Sequence, residues 1–146
     1  MSSGGRRPSS RKGGHSDPRC RLAASGFRGE IWILPNARDL PASYEQRLFP
    51  VEERRGRLQL LAAADGRDGA VTIHQDVDLY GVLLDGGQQL RHELRPGRHA
   101  WVQVARGSVG VNGQTLGAGD GAAPSGERAV EISARVPSEA LLFDLA

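Results

Sequence analysis

Four histidines and a few carboxylates are the residues of this 146-residue chain best equipped to bind a metal or move a proton: His15, His74, His92 and His99, with Asp17, Asp76 and Asp78. A redox or Lewis-acid metal site needs several imidazoles and an acid aimed at one point. His74 follows Ile73 and His99 precedes Ala100, so on strands both point away from the apolar side. His92 shares a side with Leu90 and Leu94, and one imidazole alone reads as a polar residue at the end of a core or facing solvent. Asp76 and Asp78 flank Val77 and share a face, but without a histidine or a second strand's acid they read as surface charge. Trp101 and Gln103 also share a face and, with His92, are the candidates to line a small-molecule pocket; the plainer reading is that Trp101 packs in a core or against a partner. The single cysteine, Cys20, excludes an internal disulfide, has no base at catalytic spacing, and points to a reducing, cytoplasmic setting.

These residues hang on short strands. Leu58 and Leu60 alternate with Arg57 and Gln59, Val71 and Ile73 with Thr72 and His74, and Val130 and Ile132 with Glu131 and Ser133. On another strand Ala100, Val102 and Val104 face opposite to Trp101 and Gln103. Asp65–Gly69, Asp85-Gly86-Gly87, Pro96-Gly97, Arg106-Gly107 and Asn112-Gly113 separate such segments at the spacing of an all-β sandwich or barrel. Low aromatic content, at 5%, and 20 glycines suit many tight turns, and no segment carries a long amphipathic helix or an apolar run of membrane length. Residues 1–29 hold seven Arg or Lys and one acid, so the basic balance of the chain (net charge +2) belongs to this stretch. Its Gly, Ser, Arg and Pro content reads as a disordered, solvated tail, and without interleaved aromatics or a recognition module nucleic acid is not an expected partner. Residues 30–56 read as an extended arm, starting with the apolar strand Glu30–Leu34 that Pro35 stops, and residues 57–146 as the barrel.

Three separated segments carry a family resemblance. GDGAAPSGERA (119–129), with Asn112-Gly113 before it, resembles the second conserved motif of cupins. EIWILPNARDLPASYEQRLF (30–49) resembles the segment joining the two barrels of pirin-like bicupins, the group that includes bacterial quercetin 2,3-dioxygenases. RHAWVQVARGSVGVNGQTLGAGDGAA (98–123) and SEALLFDL (138–145) resemble the C-terminal barrel of that group. The resemblance implies a cupin double-stranded β-helix, a small jelly-roll barrel, with an extended N-terminal arm.

It also implies that the iron, Fe(II), belongs to an N-terminal barrel this sequence lacks. By match, His15 and Asp17 correspond to the last two of four ligands there, as a vestige with the acid shortened and two ligands missing. In the barrel that is present, His92 falls at the first histidine of the first cupin motif and Leu94 at the second, the acid falls near Arg98, His99 or Ala100, and Ala129 stands where the second motif has its histidine. One ligand position of four is filled, so no cofactor is expected in this chain. The expectation is a metal-free, truncated bicupin with a structural or regulatory role, its arm residues Trp32, Ile33, Tyr44, Leu48 and Phe49 covering a cupin barrel of another chain or a second copy. The alternatives are a quercetin 2,3-dioxygenase whose iron is supplied by a separate or restored barrel, and a small-molecule-binding barrel.

Overall fold

The computed structural model describes residues 19–24, 27–124 and 126–146. Strands β1 (Arg19–Ala24) and β2 (Phe27–Trp32) form an antiparallel hairpin. The backbone therefore pairs residues 19–24 with 27–32, reaching into the stretch that composition alone reads as a disordered tail; the alternation Cys20, Leu22, Ala24 is the local signal for this. His15 and Asp17 lie outside the described residues.

Residues 57–146 fold as two facing sheets. Strands β3 (Gln59–Ala63), β4 (Val71–Thr72), β5 (Val77–Leu84), β7 (His99–Arg106), β10 (Gly121–Ala122) and β12 (Ser138–Leu145) form one sheet in the order β10-β7-β12-β5-β3-β4. Strands β6 (Gln89–Glu93), β8 (Ser108–Val111), β9 (Gln114–Gly117) and β11 (Ala129–Ala134) form the other in the order β6-β11-β8-β9. Val82, Val102, Val104 and Leu142 from the first meet Val109, Val111, Val130 and Ile132 from the second in one core. Period-two alternation creates this: Ala100, Val102 and Val104 are buried, while Trp101 on the same strand is exposed. Asn112-Gly113, both at positive φ (46° and 86°), makes the tight turn between β8 and β9.

The outer face of the six-stranded sheet carries a second apolar cluster of Leu61, Val71, Leu79 and Leu141, and the arm inserts Phe49 into it, with Ile31 packed alongside. Phe49 therefore pins the arm to its own barrel and offers nothing to a partner, because Leu61, Leu79 and Leu141 already give it an apolar seat. A 3-10 turn, Val51–Arg54, follows and carries Arg54 into the protein, where Nη1 donates to Glu139 Oε1 at 2.6 Å. The arm is also tied by backbone and side-chain bonds: Asn36 N–H to the His74 carbonyl, Gln75 Nε2 to the Leu34 carbonyl, and the Thr72 amide to Glu45 Oε2. That last bond occupies a backbone donor of β4, the sheet's edge strand. No helix among the described residues is long and apolar enough to cross a membrane.

Candidate functional site: the polar end of the barrel

One end of the barrel interior is polar. On β5 the core side carries Val82 and Leu84, then Tyr80, then Asp78; on β12 it carries Ala140 and Leu142, then Asp144. Asp78 and Asp144 are paired positions of neighbouring antiparallel strands, which share a face, so two carboxylates stand side by side. Both are buried. Two buried carboxylates in contact repel and lose hydration, so each needs its own cation.

Arginines supply them. Arg67, from the turn after β3, forks onto Asp78 (Nη1 to Oδ1 3.2 Å, Nη2 to Oδ2 2.6 Å) and also reaches Asp65 Oδ1 at 2.9 Å. Arg98, just before β7, donates through Nε to Asp144 Oδ1, through Nη2 to the Asp144 carbonyl at 2.8 Å, and through Nη1 to Asp76 Oδ1 at 2.8 Å. His92, on the core side of β6, gives the remaining bond: Nε2 lies 2.9 Å from Asp144 Oδ2. Since a carboxylate only accepts, Nε2 carries the hydrogen. The Tyr80 ring packs against His92, with centroids 5.0 Å apart and planes inclined at 53°.

Electrostatics follow this wiring. Hydrogen bonds to Asp78 and then Asp65 raise the Arg67 pKa. Burial opposes the charge of Arg98, but its bonds to Asp144 and Asp76 outweigh it and the pKa is raised. Burial, then the Asp78 charge, pushes the Tyr80 phenol up. The hydrogen bond from Arg67 holds Asp65 down.

His92 is thus on the barrel interior, but a metal does not fit around it. Its Nε2 is committed to Asp144, Leu94 is buried at the second histidine position, and the guanidinium of Arg98 occupies the region expected of the acid. Among the described residues no three His, Cys, Asp or Glu are grouped to hold an ion. The stretch matched to the second cupin motif enters β11 at Ala129. Ala129 pairs with Glu93 on the outward side of β11, and the inward neighbour opposite His92 is Val130, fully buried.

The other sequence candidates separate. Asp76 and Asp78 do not behave as one surface pair: Asp76 is exposed and serves Arg98, whereas Asp78 is buried and serves Arg67. Trp101 and Gln103 lie on the outer face of β7, opposite in direction to Ala100, and so do not share a cavity with His92. There Gln103 Nε2 bonds the Gly119 and Asp120 carbonyls, and a Cβ on Gly121 would overlap the Trp101 indole. His74 and His99 are exposed. Of the arm residues, Trp32 (57%), Tyr44 and Leu48 (87%) are exposed, Ile33 is half-buried, and Leu34 joins the exposed set. The residues missed from sequence are Tyr80, Asp144, Arg67, Arg54 and Glu139. Asp144 had a usable signal, an acid set in Leu141-Leu142-Phe143-Asp144-Leu145 on the same side as Leu142.

Comparison with known proteins agrees with this architecture. Residues 60–145 match the family model described as the quercetinase C-terminal cupin domain. The chain is 39% identical over 116 residues to quercetin 2,3-dioxygenase of Escherichia coli K12, covering 80% of this chain and 49% of that protein. It is 32% identical over 118 residues to a pirin-like protein of Caulobacter vibrioides, covering 80% and 51%. The crystal structure of YhhW from Escherichia coli superposes with a TM-score of 0.75 at 38% identity, covering 80% of this chain and 49% of that one, and a structure of the same bacterial pirin in complex with nickel(II) superposes at 0.74. The chain spans about half the length of these relatives. This chain belongs to the quercetinase C-terminal cupin family, the C-terminal barrel of pirin-like proteins.

Proposed function

We infer that this barrel serves a structural or regulatory role without chemistry of its own, and works against a partner cupin barrel or a second copy. The observation that carries this reading is the His92–Asp144–Arg98 network. At the end of the interior where a cupin would gather ligands, the imidazole is bound to a carboxylate and that carboxylate to a guanidinium. An arginine held this way repels a cation and leaves His92 with one uncommitted nitrogen, too few donors to hold iron. The exposed apolar side chains of the arm, Trp32, Leu34, Tyr44 and Leu48, support the need for a covering surface.

A second reading has its own support, the 39% identity to a quercetin 2,3-dioxygenase. On that reading the whole assembly oxidises a flavonol, and another barrel supplies the iron ligands. Iron analysis of the purified chain, with quercetin turnover assayed after anaerobic Fe(II) loading, tests the first reading. It expects iron well below one per chain and no turnover. Stoichiometric iron with turnover would overturn it. Light scattering checks the partner requirement: a dimer or a tendency to self-associate is expected, and a strictly monomeric chain that remains so at high concentration counts against it.

A further inference from the structure

Beneath the 3-10 turn Val51–Arg54 lies another buried ion pair, Arg54 with Glu139, separate from the barrel end. Arg54 is 1% exposed, and among the described residues its bond runs from Nη1 to Glu139 Oε1. Its Nε and Nη2 are buried and meet no acceptor among the described residues, and Gln59 Oε1 is buried and meets no donor among them. Buried donors and acceptors are rarely left so, because each loses its hydration without replacement.

Two bonds place these groups around the same 3-10 turn: Arg54 reaches Glu139 on β12, and its neighbour Glu53 reaches Gln59 on β3. Gln59 pairs with Gly81 on β5, and Glu139 pairs with Leu83 two residues along the same strand. Paired positions share a face, so Gln59 and Glu139 both stand on the outer side of the sheet, on the strands either side of β5, about 7 Å apart along the strands and about 10 Å across them, a span that the long Arg54 side chain partly covers. Arg54 bridges from above, and its chain neighbour Glu53 accepts from Gln59 Nε2. That bond fixes which end of the Gln59 amide is nitrogen and leaves the oxygen as the end that lacks a donor. The floor is apolar, since Leu61 Cδ1 lies against Gly81.

The chemistry of the unmet groups identifies what joins them. Arg54 requires an acceptor and Gln59 requires a donor. A halide accepts only, and a metal cation or ammonium cannot accept from a guanidinium. A neutral molecule that does both fits, with the two or three partners that a buried water takes. We propose that a single buried water molecule accepts from Arg54 and donates to Gln59 Oε1, completing a hydrated latch that locks the arm onto the outer face of the six-stranded sheet. Glu139 keeps Arg54 neutralised, with Arg106 Nε a looser 3.9 Å from its second oxygen. The site would therefore hold water and reject halide.

A crystal structure of the full chain, refined far enough to order waters, tests this, together with a second crystal soaked in sodium bromide. The expected result is one density peak at about 2.7–3.2 Å from Arg54 Nε or Nη2 and from Gln59 Oε1, with no anomalous bromide signal there. A direct Arg54–Gln59 hydrogen bond without an intervening peak, a peak bonded to one of the two residues only, or bromide at the position would each overturn it.

Discussion

Replacing Arg98 with methionine keeps the stem volume and removes the guanidinium from Asp144. Both side chains are largely buried, at 8% and 6% exposure. Removing one member of a buried pair costs about 3–5 kcal/mol, because the other charge stays buried and uncompensated. The exposed contact of Arg98 with Asp76 adds little, about 0–1 kcal/mol. Asp144 keeps its bond from His92, so the lower end applies: about 3 kcal/mol, a large share of the roughly 5–15 kcal/mol that holds a domain together. At about 4–8 °C per kcal/mol for a barrel of this size, the melting point falls by about 12–24 °C. The double variant Arg98→Met, Asp144→Asn removes the stranded charge while keeping an acceptor for His92, and recovers about 2 kcal/mol of the loss. Urea unfolding followed by circular dichroism reads both values from the midpoint at unchanged slope. A single-variant cost below about 1 kcal/mol, or a double variant no more stable than the single, would refute the view that this ion pair closes the barrel end.

Three further outcomes follow from other contacts. Phe49→Ala opens a cavity in the outer-face cluster and costs about 3 kcal/mol, and limited proteolysis should then cut the arm faster than the barrel; equal protection of the arm in both proteins contradicts its pinning role. Gly121→Val puts side-chain atoms where the Trp101 indole lies, so the indole is displaced and its fluorescence shifts to the red; an unchanged spectrum means the contact is not maintained in solution. Accepting the Thr72 amide, with help from Arg47, holds the Glu45 carboxyl below its ordinary value of 4.5. A lowered folded pKa gives stability that is present above that ordinary value and lost as pH falls through the folded one, so hydrogen exchange at Thr72 should accelerate as pH drops below about 4.5 beyond the intrinsic trend. Glu45→Gln should remove that pH-dependent step, and its persistence in the variant assigns it elsewhere.

The strands and turns were legible in the sequence because their signals are local. Alternation along Ala100–Val104 and the Asn112-Gly113 dipeptide each report a structure made within a few residues. The polar end was not legible, because it is made by register between distant strands: Asp78 meets Asp144 only once β5 pairs with β12. Arg67 and Arg98 come from turns, whose side chains carry no periodic pattern to read. Ala129 and Val130 show the same limit, since motif spacing counts residues whereas pairing with Glu93 and His92 decides which face each occupies. Phe49 read as an exposed arm residue because its seat on Leu61, Leu79 and Leu141 exists only after the sheet has formed.

The proposed role rests on His92 belonging to an ion-pair network rather than to a metal site. Titration of the labelled chain with paramagnetic nickel(II), observed through the histidine ring resonances by NMR, tests it most directly. The exposed His74 and His99 serve as internal controls for weak surface binding. His92 held by Asp144 should keep its shift and linewidth through one equivalent of metal. Selective broadening of His92 at one-to-one stoichiometry would contradict it.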